Sequence, residues 1–222
     1  MSLTLREQLH WCECRGRAIF LDARSGRYFC LAGATNDAFL RLAFGPKETG
    51  DCELLSTLID RGLLVTNSDG APMIAKCIFK PAFADLPATR APRPSLVLLL
   101  RALAAELRAG RQIKKLPFMK ILESAAAKGP TRASPASDPK GCAERIAAAA
   151  AWAAFFTGAA DRCLVRALAV FSTCRHFGLR PSLVFGVRIN PFAAHSWVQL
   201  GGDVVVGEYE QVRLYTPILV LE

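Results

Sequence analysis

Apolar positions in the first third of the chain predict a small sheet followed by two short helices. Three apolar stretches bounded by turn residues are typical of β-strands, with Gly26 in the turn between the second and the third. Apolar residues then recur with a helical period, and Asn36-Asp37 and Asp51 stand where N-caps are expected. The predicted elements are strands at 9–14, 17–22 and 27–31, helices at 38–43 and 53–61, and a strand at 62–65. This order favours a winged-helix-like domain.

The remainder of the chain predicts helices followed by a sheet. Helical periodicity covers four segments, and three apolar stretches and an extended tail follow them. The predicted helices are 95–108, 112–127, 142–156 and 162–177, the strands are 182–189, 194–200 and 203–209, and the tail is 215–221. We expect an α+β domain with helices packed on an antiparallel sheet.

Proline content divides the chain into two domains. Four prolines fall within residues 81–94, a composition typical of a linker. The predicted domains are therefore residues 1–80 and 95–222. A second segment rich in Pro and small polar residues, 129–141, predicts a surface loop inside the second domain.

Composition predicts a buried core and a basic second domain. The chain has 222 residues, of which 52% are hydrophobic and 21% charged. Residues 1–85 are neutral, so residues 86–222 carry the whole net charge of +9. Such an excess suits an acidic peptide, a nucleic acid or a membrane surface. The predicted helix near 51–61 has three acidic residues and one arginine, which disfavours winged-helix binding of nucleic acid.

The longest run without charge, Ile146–Ala160, predicts a buried helix. It has 15 residues, fewer than the roughly 20 that span a bilayer. We expect no membrane span.

The cysteines predict free thiols. All eight are scattered, mostly within apolar stretches, and residues 1–10 lack the apolar core of a signal peptide, so we expect a cytoplasmic protein. Cys12 and Cys14 would share one face of a strand, but no second closely spaced pair completes a zinc site. We therefore expect no metal and no cofactor.

Cys163 and His195 are the candidate nucleophile and base. Asp161 is a suitable N-cap, which places Cys163 in the first turn of a helix, where the helix dipole favours a thiolate. Arg162 and Arg166 would add to this effect. His195 opens a predicted strand, and a thiol with a nearby imidazole is the machinery of nucleophilic catalysis.

Glu208 is the candidate third catalytic residue. If Gly201-Gly202 forms a two-residue hairpin turn, residues whose numbers sum to 403 face each other, and His195 pairs with Glu208. A carboxylate there would orient the imidazole and stabilise its charged form. A bulge would shift this register, in which case Asp203 is the alternative.

Two segments resemble the lasso-peptide biosynthesis B protein family. Arg162-Cys163-Leu164-Val165-Arg166-Ala167-Leu168 and Ala194-His195-Ser196-Trp197-Val198-Gln199 look like its peptidase motifs, and Tyr215-Thr216-Pro217-Ile218 also fits. The stretch from Leu21 to Phe29 resembles the strand-turn-strand of a PqqD-like recognition element. The resemblance implies a transglutaminase-like (papain-like) cysteine protease domain that removes a leader peptide. The family usually has Asp where this chain has Glu208.

The resemblance also implies partners and a second site. A precursor leader would add a strand to the edge at residues 27–31 and pack on the helix 53–61. The apolar candidates for contacting it are Phe29, Leu31, Leu55 and Leu58. The released core peptide would pass to an ATP-dependent cyclase.

Two other functions fit the same residues. The chain would be a non-catalytic leader-binding scaffold if the Cys163 thiol is inert towards alkylation. It would be a transglutaminase-like acyltransferase if an amine takes the place of water, which the mass of the product distinguishes.

Overall fold

The N-terminal half is built around a three-stranded antiparallel sheet in the order β2-β3-β4. The computed structural model describes residues 2–44, 52–67, 74, 76–77, 79–86, 93–127, 138–158 and 162–222. The elements of this half are β1 (Ser2–Leu5), β2 (Leu9–Cys14), β3 (Arg17–Asp22), β4 (Arg27–Cys30), α1 (Gly33–Phe44), α2 (Cys52–Asp60) and β5 (Leu64–Asn67). β1 and β5 form a separate two-stranded sheet. The three predicted strands are confirmed, β1 was not predicted, and Asp51 lies outside the described residues.

Both faces of the three-stranded sheet are buried. Phe20 and Phe29 stack on one face, at 5.1 Å between ring centroids, within the core formed with α1 and α2. Ile19 and Leu21 point to the other face and join the core of the C-terminal half. Because successive side chains of a strand alternate between faces, the unbroken apolar run of β3 serves two cores at once. The sheet is therefore the layer that joins the two halves.

The C-terminal half packs helices on a five-stranded sheet. Its elements are β6 (Ala84–Asp85), α3 (Leu96–Lys115), α4 (Phe118–Ala126), α5 (Pro139–Thr157), α6 (Cys163–His176), β7 (Ser182–Arg188), β8 (Ala193–Leu200), β9 (Asp203–Val206), α7 (Tyr209–Val212) and β10 (Thr216–Leu221). The strand order is β10-β7-β8-β9-β6, and only the β6–β9 pair is parallel. Residues of α3, α5 and α6 share one core with β7, β8 and β9. The predicted α+β arrangement of helices on a largely antiparallel sheet is thus observed.

Three local predictions differ from the structure. The predicted break near residue 110 is absent, because Gly110 lies within the continuous helix α3. Ala84–Asp85, within the predicted linker, pairs with β9 as an edge strand. Asn36 does not cap α1: it lies inside the helix, where its buried amide accepts from Ala18 N at 2.9 Å and donates to Gly16 O at 3.0 Å. Its polar side chain satisfies the β2–β3 turn instead of a helix end.

None of the helices in the described part of the chain is long and apolar enough to cross a bilayer.

Candidate active site

Cys163 begins helix α6, as predicted from the sequence. It is the first helical residue, and the N-cap is Arg162, which makes no side-chain capping hydrogen bond. The predicted cap Asp161 lies outside the described residues. The first backbone N–H groups of a helix have no partner within the helix, and they point towards its N-terminal end. The thiol therefore sits where unpaired N–H groups are available to an anion.

His195 and Ser196 lower the pKa of this thiol. Burial favours the protonated thiol and is the largest single influence. Hydrogen bonding from the His195 side chain, and from the Ser196 hydroxyl and backbone N–H, favours the thiolate. Together they lower the pKa of Cys163 from 9.0 to about 7. The Ser196 hydroxyl meets no partner at good hydrogen-bond geometry. The lowering of the Cys163 pKa is therefore due mainly to His195 and to the Ser196 N–H.

The side chains of Arg162 and Arg166 bond to the end of α5. Arg162 Nη1 donates to the Thr157 carbonyl at 2.8 Å, and Arg166 Nη2 donates to the Gly158 carbonyl. Both carbonyls belong to the C-terminal end of α5, whose last carbonyls lack helical partners. The arginines therefore join α5 to the start of α6 and position Cys163 through the backbone.

The imidazole of His195 is held between aromatic rings. Its centroid lies 5.2 Å from the Tyr215 ring and 6.3 Å from the Trp197 ring, which is nearly parallel to it. Trp197 fits tightly, because a Cβ on Gly186 or on Gly207 would stand 2.6 Å from it. Trp197 Nε1 donates to the buried Gln199 side chain at 3.1 Å. The imidazole thus lies beside two aromatic rings, of which Trp197 is held by tight packing and by its hydrogen bond to Gln199.

The predicted pairing of His195 with Glu208 is wrong. Leu200–Asp203 and Gln199–Val204 follow the expected register, but Val198 pairs with Val206. The extra residue Val205 forms a β-bulge because Val205 and Val206 both pack into the core beneath α6, which a regular strand would not allow. Strand β9 then ends at Val206 instead of 209.

Glu208 instead follows the strand as the N-cap of α7. Its φ is +61°, an uncommon value for a residue other than Gly. Its side chain is exposed and does not bond His195 in this structure. Asp203, the alternative, pairs with Leu200 five residues along β8 from His195, a separation of about 16 Å along a strand. Asp203 is therefore too distant to orient the imidazole.

The Nε2 atom of His195 lacks a partner. It is buried and forms no hydrogen bond with any described residue. A Cβ on Gly207 would lie 3.6 Å from it, so the segment that leads into Glu208 runs directly past this nitrogen.

A residue from the N-terminal half also reaches this site. Tyr28 of β4 packs into the C-terminal core, and its ring centroid lies 5.9 Å from that of Phe192, three residues before His195. Burial, then the charges of Cys163 and Cys12, raise the pKa of Tyr28 to about 12. The phenol of Tyr28 therefore keeps its proton near the Cys163 thiol. The apolar stretch at 27–31 predicted the strand, but no local signal in the sequence places Tyr28 against this site.

Comparison with known families agrees with this geometry. The family model for the transglutaminase-like superfamily matches residues 103–220, just over half of the chain. The chain belongs to the transglutaminase-like superfamily. No curated protein and no solved structure matches it significantly.

The transglutaminase-like domain contains the whole Cys163–His195 pair. This superfamily includes cysteine proteases and acyltransferases. Both reactions require a thiol that attacks a carbonyl and a base that manages its proton, which are the groups assembled here.

Within the described residues, no group of three or more His, Cys, Asp or Glu side chains could hold a metal ion. Cys12 and Cys14 lie in the core between the two halves, where burial raises the pKa of Cys12 to about 12.

The structure separates the four candidate leader contacts into two groups. Leu31 and Leu58 are buried in the N-terminal core at 6% and 1% exposure, so neither offers a surface in this conformation. Phe29 and Leu55 are half-buried at the margin of the same core. Among the strands that the structure describes, β4 pairs with β3 alone and so lies at an edge of its sheet.

Proposed function

We propose that this protein is a cysteine endopeptidase that removes the leader from a lasso-peptide precursor. The observation that carries the proposal is the Cys163 thiol at the start of α6, whose pKa is lowered to about 7 beside His195. The transglutaminase-like domain supports thiol chemistry on a carbonyl. The resemblance of the motifs around Cys163 and His195 to lasso-peptide B proteins supports the choice of substrate.

The reaction proceeds through a thioester. The Cys163 thiolate attacks the scissile carbonyl, and the backbone N–H at the start of α6 stabilises the oxyanion. Protonated His195 gives its proton to the leaving amine as the C–N bond breaks. Water then attacks the thioester while His195 accepts a proton, which releases the acid and the free thiol. The released core peptide passes to an ATP-dependent cyclase.

Glu208 is the proposed third member of the catalytic group. Nε2 of His195 is buried without a partner, and the backbone that leads into Glu208 passes beside it. A change of side-chain rotamer would bring the carboxylate to this nitrogen, where it would stabilise the imidazolium. We expect Glu208→Gln to lower kcat with little effect on KM. The matched control is Asp203→Asn. It should leave kcat unchanged because Asp203 lies beside the hairpin turn, about 16 Å along the strand from His195.

The N-terminal half is the proposed leader-recognition element, of the PqqD-like type. Within the described residues, one edge of β4 has no partner strand, and an extended leader can add there as a further strand. Phe29 on β4 and Leu55 on α2 are half-buried and would contact the leader. Leu31 and Leu58 pack beneath them in the N-terminal core. Because Tyr28 on the same strand contacts Phe192 in the loop before His195, a leader paired with β4 would run close to the catalytic thiol.

The deciding experiment is mass spectrometry of a lasso-type precursor incubated with wild type, Cys163→Ala and Cys174→Ala, with and without the cyclase. Cys174 is the control because it lies on the same helix but is buried, with its pKa raised to about 12. We expect a leader fragment from wild type and Cys174→Ala only. Cleavage by Cys163→Ala would refute the mechanism.

Two other outcomes would replace the proposal. A product joined to an added amine would indicate acyl transfer. An intact precursor that still binds would indicate a leader-binding scaffold.

A further inference from the structure

Helices α3 and α5 expose an apolar face that the proposed peptidase activity does not use. Its side chains are 43% to 84% exposed, with Phe155 the most exposed. We call this set the α3–α5 face; it consists of Leu96, Val97, Leu100, Leu107, Trp152, Phe155 and Phe156. Given the size of such side chains, it presents on the order of 700 Å² of apolar surface. The largest patch on a typical monomer is about 300–600 Å², so this face is unusually large.

The two helices contribute to one continuous surface. Leu96, Leu100 and Leu107 follow a helical repeat along one side of α3. The adjacent Leu99 and Leu103 pack against Ala149 and Ala153 of α5. Trp152 follows Ala149 by three residues, and Phe156 follows Ala153 by three, so both aromatic side chains lie next to these alanines on the surface of α5. Small alanines between the helices allow a close approach, which brings the leucines and the aromatic rings side by side.

The charges on the two helices are mainly basic; α5 carries the exposed Lys140 and Arg145 and the half-buried Glu144. The exposed side of α3 carries Arg108, Arg111, Lys114 and Lys115, and the only acidic residue of that helix, Glu106, is 2% exposed. A symmetric contact with a second copy would bring these cations together, which is unfavourable. An anionic partner is favoured instead.

We propose that the α3–α5 face binds the surface of a membrane that contains anionic lipids. The phenylalanine and leucine side chains protrude from two neighbouring helices instead of lining a groove, so they suit insertion among acyl chains better than capture of a peptide helix. Basic residues beside them would contact lipid phosphates. This attachment is peripheral and independent of the proposed peptidase chemistry.

The test is co-sedimentation of the full chain with vesicles of phosphatidylcholine alone or mixed with phosphatidylglycerol. We expect binding to the anionic vesicles only, weakened by added salt. Replacing both phenylalanines (Phe155→Ser with Phe156→Ser) should weaken it about tenfold or more. Replacing two cations (Arg108→Gln with Arg111→Gln) should weaken it about 30-fold. Phe44→Ser, which removes a phenylalanine that is 58% exposed on α1, is the matched control and should bind like wild type.

Several results would overturn the proposal. These are no binding by the wild type, equal binding to neutral vesicles, or unchanged binding by both double variants. Concentration-dependent dimerisation abolished by the phenylalanine variant, without vesicle binding, would assign the face to a second copy. Cleavage of the precursor in solution by the phenylalanine variant should equal that of wild type, which separates this test from that of the proposed function.

Discussion

Replacing His195 by alanine should shift the pH dependence of Cys163 alkylation to higher pH, so that the variant is slower than wild type at pH 7 and faster at pH 10. With a pKa of about 7, roughly half of the wild-type thiol is ionised at pH 7. Without the imidazole, burial acts unopposed except for Ser196, and the pKa of Cys163 should return to 9.0 or above. Only about 1% of the thiol would then be ionised at pH 7, a loss of roughly 50-fold.

Thiolate reactivity offsets part of this loss. Nucleophilicity rises with pKa with a Brønsted slope of about 0.4–0.5, so a thiolate whose pKa is two units higher reacts about eightfold faster. The net expectation is alkylation about sixfold slower than wild type at pH 7. At pH 10 both thiols are mostly ionised, and the variant should react about sevenfold faster. The two rate profiles therefore cross.

The assay is iodoacetamide labelling followed by peptide mass spectrometry, with the exposed Cys30 as an internal reference in the same sample. If the substitution only changed how easily iodoacetamide reaches Cys163, the variant's rate would differ from that of wild type by the same factor at every pH, and the two profiles would not cross. Parallel profiles, or a His195→Ala variant that reacts as fast as wild type at pH 7, would refute the assignment of His195 as the group that activates Cys163.

Three further substitutions test the support around the site. Gly207→Ala should lower the free energy of unfolding by several kcal/mol in denaturant titration, because φ is +130° and the new Cβ meets Trp197. The control is Gly201→Ala, which should cost only about 1–2 kcal/mol because φ is +62° and the space around it is open. Gln199→Leu should cost about 2–4 kcal/mol by the same measurement, because it leaves the Trp197 N–H and two backbone carbonyls without partners. Tyr28→Phe should keep the fold, as only the hydroxyl is lost, and should alter precursor cleavage through KM or kcat; unchanged kinetics would remove Tyr28 from the site.

Local patterns predicted most of the elements and the places of Cys163 and His195 in them. Cys163 at a helix start and His195 on a strand follow from signals within a few positions of each residue, and both were placed correctly. Asn36 was misassigned because a polar residue before an apolar run has the pattern of a cap, whereas its partners are 18 and 20 residues away. Tyr28 was missed for the same physical reason, since its contact with Phe192 joins residues from different halves of the chain.

The β-bulge in β9 explains why His195 does not pair with Glu208, and it bears on the proposed role of Glu208 as the third catalytic residue. Val205 and Val206 both satisfy the core beneath α6, so β9 uses one residue more than β8 over the same length. That extra residue moves every later position out of pairing with β8, and Gly207 and then Glu208 leave the strand with positive φ values. A carboxylate that starts from this displaced backbone has further to reach than one directly opposite His195. In the proposed catalytic role of Glu208, the additional methylene of glutamate would supply that reach.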